Sequence, residues 1–270
     1  MEFKINDAVY AYEIYGQGTP LVMLHGFTGS MKTWHPFINR WEDSFQLILI
    51  DLPGHGRTRV NKPRSMEQCS KELKTLFEYL NLSSVHLLGY SMGGRTALSF
   101  AMYYPEMVES LILESVSPGL KSEGERLKRI EKDDQLAKRI ESEGLISFVN
   151  YWESIPLFKT QKNLSYDAQQ VIRNERIRQS PEGLAESLRS MGTGSQPSWW
   201  NQLTELKCPV LLLTGKLDEK FILINEQMTK LLPRNEFQII SNAGHAIHVE
   251  QPGIFGKIVK EFIVNQQSNC

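Results

Sequence analysis

The segment VHLLGYSMGGRTALSFAMYY (85–104) constrains the fold of this chain more than any other. A strand-like apolar run enters G-x-S-x-G, and a helix-like stretch of small and apolar residues follows directly. A turn that sharp predicts a strained backbone at its central residue, Ser91, with Gly89 and Gly93 leaving room where side chains would collide. The amide of Met92 then opens a helix, aimed where negative charge can be held. The pentapeptide alone is common; between a strand and a helix it marks a functional serine.

The same alternation runs through the rest of the chain. LVMLH (21–25), QLILID (46–51) and SLILES (110–115) read as buried parallel strands, with helical spacing near 66–80 and 92–104. It resumes with PVLLLTG (209–215) and EFQIIS (236–241), and an amphipathic segment near 252–265 closes the chain as a helix. The start, MEFKINDAVYAYEIYG, reads as a hairpin turning at Asn6-Asp7.

Residues from about 117 to 202 break this pattern. ERLKRIEKDDQLAKRIESEG is charged and helical in spacing, and aromatics follow it without a convincing strand. Because strands continue on both sides, the expectation is one α/β core (1–116 and 203–270). Residues 117–202 then form a helical lid inserted over the C-terminal edge of a mostly parallel sheet flanked by helices.

A net charge of −1 gives no general attraction to nucleic acid, and no apolar run reaches the roughly 18 residues that span a bilayer. The N-terminus lacks the basic start and apolar stretch of a signal peptide. Cys69, Cys208 and Cys270 are odd in number and widely spaced, with no metal-ligand pattern. They favour a reducing cytoplasm over a disulfide framework.

A serine hydroxyl needs a histidine to take its proton, and the histidine needs a carboxylate to hold its tautomer. SNAGHAIHVEQP offers His245, just after the last expected strand, and His248, whose expected role is local support. TGKLDEKF places Asp218 just past a strand; Glu114 and the adjacent Glu219 are the rival acids, and Asp218 is favoured. In LHGFTGS, the Phe27 amide is the candidate second oxyanion donor beside Met92, while His25 braces the loop. Asp51 and His55 in DLPGHGRT read as structural.

Together HGF, DLPGHG, GYSMGG, GxxD and AGH, in this order, resemble the α/β-hydrolase superfamily along nearly the whole chain. That match is specific for fold and weak for substrate. GYSMGGR with Arg95, SPGL, Arg126 and Arg129 one helical face apart, YWESIPLF with Trp152, MGTGSQPSWW and GKLDEKF narrow it further. In combination they resemble the 2-succinyl-6-hydroxy-2,4-cyclohexadiene-1-carboxylate synthase family of menaquinone biosynthesis.

The resemblance implies a carbon–oxygen lyase that eliminates pyruvate from 2-succinyl-5-enolpyruvyl-6-hydroxy-3-cyclohexene-1-carboxylate. Ser91 is then the base, relayed through His245 and Asp218, with no acyl-enzyme, no cofactor and no metal. It also implies substrate contacts from Arg95, Arg129, Trp152 and Tyr90, with Arg126 a substitute for Arg129. A substrate with three carboxylates suits arginines, whose planar fork grips carboxylate through two hydrogen bonds. The expected partner is therefore a small molecule bearing several carboxylates, with neither nucleic acid nor membrane. The alternative is a serine carboxylesterase or C–C bond hydrolase using Ser91 as nucleophile. A receptor that keeps only the fold is disfavoured by the presence of all three triad members in order.

Overall fold

A computed structural model describes residues 1–267 of the 270-residue chain. The apolar runs form β1 (Glu2–Ile5), β2 (Ala8–Tyr15), β3 (Thr19–Leu24), β4 (Phe45–Ile50), β5 (Arg59–Val60), β6 (Val85–Tyr90), β7 (Val108–Glu114), β8 (Val210–Gly215) and β9 (Asn235–Ile240). They lie in one sheet in the order β1-β2-β4-β3-β6-β7-β8-β9, with β5 paired to β2. β1, β2 and β5 pair antiparallel. From β4 through β9 every pairing is parallel.

The parallel strands at the centre are buried along their length, β6 and β8 at every residue. Such strands read as continuous apolar runs because helices cover both faces. The chain's helices are α1 (Ile38–Trp41), α2 (Met66–Tyr79), α3 (Met92–Tyr103), α4 (Glu123–Glu143), α5 (Leu145–Ser154), α6 (Tyr166–Arg176), α7 (Pro181–Met191), α8 (Glu219–Thr229), α9 (Ile247–Glu250) and α10 (Pro252–Gln267). Side chains of α2, α3 and α8 pack one face of the sheet, among them Leu73, Phe77, Phe100 and Met228. Trp34, Phe37, Trp41, Phe255 and Phe262 pack the other, bringing α1 and α10 together.

Helices α4 to α7 all lie between β7 and β8. α4 opens on a capping box: Ser122 accepts the amide of Glu125, and the Glu125 carboxylate accepts the amide of Ser122. Such a cap is typically worth about 1 kcal/mol. Of its 21 residues only Asp133, Ala137 and Ile140 are buried, so most of its charge is a solvated face. Ala137 and Ile140 join Phe148, Val149, Leu184 and Leu188 in a separate small core, against which Phe27 and Trp152 pack.

Register decides where function can gather. Leu24 of β3 pairs with Gly89 of β6, Tyr90 with Glu114 of β7, and Glu114 with Leu213 of β8. The C-terminal ends of four strands are thus level, and their loops share one edge, where ligands of open α/β sheets bind. Cys69 and Cys208 are free, and Cys270 lies outside the described residues. Among the described residues no helix is long and apolar enough to cross a membrane.

Candidate active site

The tight turn begins at the end of β6. Ser91 has φ 49° and ψ −107°, a strained conformation for a residue with a Cβ, and caps α3. A Cβ on Gly93 would overlap the carbonyl oxygens of Leu24 and His25, and one on Gly89 would overlap Gly93. Only glycine lets the helix start this close to the end of β3. The first amides of α3, Met92 among them, have no intrahelical acceptor and add to the positive end of its dipole.

The loop after β9 brings His245 to the same edge. It is tied to the turn after β8 by Leu217 N–H to Ala243 O at 2.9 Å and Lys216 N–H to Ile240 O at 2.8 Å. A Cβ on Gly215 would overlap the carbonyls of Ala243 and Gly244, so a bare backbone is required there. His245 Nε2 lies 3.0 Å from Ser91 Oγ, and its Nδ1 lies 2.7 Å from Asp218 Oδ2. With Nδ1–H donated to a carboxylate, Nε2 carries the lone pair that accepts the Ser91 hydroxyl proton. His245 and Asp218 are almost wholly buried, which protects this chain of hydrogen bonds from water.

The rival residues are occupied elsewhere. Glu114 accepts from His248, through the backbone amide at 3.0 Å and Nδ1 at 2.9 Å. Glu219 is exposed. His25 accepts the Leu52 amide at Nε2, so its Nδ1–H donates to Gly26 O at 2.8 Å, bracing the loop that carries Phe27. Asp51 accepts the amides of Met31 and Arg57. His55 donates its Nδ1–H to Pro53 O at 3.0 Å.

A cavity of about 160 Å³ opens over Ser91 and His245. Phe27, Met92, Tyr90, Arg95, Arg129 and Trp152 all line it; Arg126 does not, its Nε lying 3.5 Å from Gly194 O. Tyr90 presents its ring to both His245 and His248, with centroids 5.5 Å and 4.6 Å away. Trp152 stacks on Phe148 and meets Phe27 edge-on, and its Nε1 is buried without a partner.

Charge sets this cavity apart. Arg95, Arg129 and Lys220 line it, and among the described residues no Asp or Glu does. Arg95 Nη1 donates to two neutral acceptors, Met191 O at 2.8 Å and Gln196 Oε1 at 2.6 Å. These orient the guanidinium without neutralising it. Burial first, and the nearby Arg129 charge second, push Arg95 down to about 9. Lys220 is lowered by the same two causes. Arg129 holds a partner, Asp133, at 2.8 Å, from within its own helix. Cations held against desolvation and against one another gain most when an anion arrives between them.

Lys220 was not singled out in the sequence; its position two residues after Asp218, at the start of α8, is the signal that points to it. A neighbouring hollow of about 340 Å³ shares Phe27, Tyr90 and Phe158 and is lined by Arg176. The Arg176 guanidinium is bound by Gln161 at 3.0 Å and Glu153 at 3.3 Å and lies 4.9 Å over the Phe158 ring.

Comparison with known proteins matches residues 19–252 to the α/β hydrolase fold family. The chain is 49% identical over 248 residues to a Bacillus subtilis (strain 168) protein named a candidate 2-succinyl-6-hydroxy-2,4-cyclohexadiene-1-carboxylate synthase, covering 91% of this chain and 90% of that one. It is 32% identical to the synthase of that name from Enterobacter sp. (strain 638), covering 86% of each. Among solved structures, MenH from S. aureus superposes with a TM-score of 0.91 at 38% identity, covering 96% of this chain and 98% of that one. A thermophilic esterase from Thermogutta terrifontis, solved with malate bound, gives 0.85 at 28% identity, covering 96% and 94%.

Proposed function

This chain belongs to the 2-succinyl-6-hydroxy-2,4-cyclohexadiene-1-carboxylate synthase family of the α/β-hydrolase fold, and from that premise we propose that it eliminates pyruvate from 2-succinyl-5-enolpyruvyl-6-hydroxy-3-cyclohexene-1-carboxylate. His245 takes the Ser91 hydroxyl proton while Ser91 Oγ removes a proton from the substrate carbon adjacent to the succinyl carbonyl. The electron pair left on carbon moves into that carbonyl, and the amides of Phe27 and Met92 receive the developing charge. As the charge returns, a ring double bond forms and the C–O bond to the enolpyruvyl group breaks. The departing enolate takes the proton held on His245 at its methylene carbon and leaves as pyruvate, so protons balance and no covalent enzyme intermediate is needed.

The observation that carries this reading is the company Ser91 keeps. Arg95 and Arg129 face the same cavity, and among the described residues no carboxylate lines it, which suits a substrate carrying three. Tyr90 and Trp152 serve as its aromatic walls. Residues 117–202 act as a lid: they supply Arg129 and Trp152 and exclude water, strengthening each charge contact. A cytoplasmic location belongs to the same proposal and rests on the odd, widely spaced cysteines.

The test is incubation with the intermediate while pyruvate is followed through lactate dehydrogenase. Pyruvate release with little turnover of p-nitrophenyl esters is expected. Rapid ester cleavage with the intermediate untouched would overturn the lyase reading. It would favour a carboxylesterase with Ser91 as nucleophile, a reading to which the 28% identical esterase structure lends weight.

A further inference from the structure

We propose that Glu114 is a positioning residue that locks the Ser91 turn, the His245 loop and the strand leading to Asp218 into one geometry. Glu114 ends β7 and is fully buried. In the sheet it pairs with Tyr90, the residue before Ser91, on one side, and with Leu213 of β8 on the other. Its carbonyl oxygen accepts the Ser91 amide at 2.9 Å. Its carboxylate turns the other way and holds the first turn of α9. There it accepts the His248 amide at 3.0 Å, and each of its oxygens lies 2.9 Å from His248 Nδ1.

One residue thereby spans the three arms of the site, its backbone tying the Ser91 turn and β8 and its carboxylate tying the start of α9. His248 lies three residues beyond His245, so clamping its amide fixes the exit of the loop that carries the imidazole. The Tyr90 ring fills the space between the two histidines, which leaves the loop little room to slide. Glu114 is not part of the cavity wall over Ser91, so its effect reaches the reacting atoms only through Ser91 and His245.

Physical cost argues for this role. A buried carboxylate paired with one histidine contributes little net stability, because desolvation offsets most of the attraction. What such a pair supplies is direction, and a misplacement of about 1 Å at a reacting group costs about 100-fold in rate. The inference rests on Ser91, His245 and Asp218 acting together, and not on which substrate they act upon.

The test uses the full chain and a reagent blind to the natural substrate. A fluorophosphonate reports the Ser91–His245 geometry directly: Ser91 Oγ bonds to phosphorus, fluoride leaves, and His245 takes the proton. Glu114→Gln keeps the shape and one acceptor but places an amide N–H₂ against His248. With folding checked by circular dichroism, we expect phosphonylation at least about 10-fold slower. Glu114→Ala is expected to be slower again. In pyruvate elimination the loss should fall on kcat, with KM within about twofold, and persist on the pH plateau. A folded Glu114→Gln protein that reacts at the wild-type rate overturns the proposal. So does a loss that disappears on changing pH, which would mark Glu114 as acting only through its charge. If Glu114→Gln does not fold, His248→Asn decides: at least a threefold slower reaction supports the proposal, and an unchanged rate sinks it. A wild-type protein that releases no pyruvate yet shows this dependence on Glu114 overturns the proposed substrate and leaves this inference standing. A wild-type Ser91 that resists the reagent overturns this inference, and pyruvate release by that same protein leaves the proposed substrate standing.

Discussion

His245 Nε2 stands 3.0 Å from Ser91 Oγ although 154 residues of chain separate them. Everything between them, including helices α4 to α7 and strands β7, β8 and β9, is folded so that a lone pair meets a hydroxyl proton. The proposed chemistry rests on that contact and on the Asp218 carboxylate, 2.7 Å behind the ring.

Ser91→Ala removes the hydroxyl while leaving the cavity and its cations in place. We expect kcat for pyruvate elimination to fall by about 1,000-fold or more, with substrate still bound, as when one member of a triad is deleted elsewhere. Steady-state kinetics and calorimetric titration of the intermediate separate the two effects. A variant with near-normal kcat would remove Ser91 from the chemistry.

Arg95→Ala takes away a guanidinium that Met191 and Gln196 hold in place without neutralising. The expected result is a steep rise in KM and a fall in kcat/KM worth about 2–5 kcal/mol, the usual cost of breaking a desolvated charge pair. Arg126→Ala, a change outside the cavity wall, should leave kcat/KM within about twofold. Equal losses in the two variants would contradict the assignment of Arg95 to substrate.

Lys220 lies at the exposed edge of the same cavity, so its contribution is mainly to capture. Lys220→Gln should lower kcat/KM several-fold at about 10 mM salt. The deficit should shrink towards nothing at about 1 M salt, where the Debye length is about 3 Å. A deficit insensitive to ionic strength would instead mean direct contact with bound substrate.

Burial lowers His25 to about 4 and His55 to about 3, against an ordinary value near 6.5. Both are neutral when folded and take up a proton more readily when unfolded. Stability from this source is therefore full above about pH 6.5. It falls as pH drops below that value, with a slope of up to about 1.4 kcal/mol per pH unit for each group, until the folded values are reached. Urea unfolding between pH 7.5 and 4.5 measures it. His55→Leu, which removes one of the two groups, should give a shallower slope than wild type; parallel slopes would refute the assignment.

Much of this architecture was legible because its strands are buried on both faces and so written as unbroken apolar runs. VHLLGY, SLILES and PVLLLTG announce β6, β7 and β8 to within a residue or two, and the helical spacing of ERLKRIEKDDQLAKRIESEG announces α4. The two-residue β5 left no such trace, since Arg59–Val60 is too short to show a period and forms only because β2 lies beside it. Residue type and position after a strand nominated Ser91, Asp218 and His245, because loops at strand ends are where a level sheet gathers side chains.

Sequence alone determined the local grammar: a strained serine turn, a histidine loop, and arginines on a charged helix. Choices among chemically equal candidates were left to tertiary packing. Glu114 and Asp218 are both carboxylates at strand ends, and only the fold turns one towards His248 and the other towards His245. Arg126 and Arg129 share a helical face, yet a rise of about one turn along α4 puts Arg129 on the cavity and Arg126 against Gly194. Charge and hydrogen-bonding capacity belong to residues, whereas direction and distance are set by the packing of segments remote in the chain.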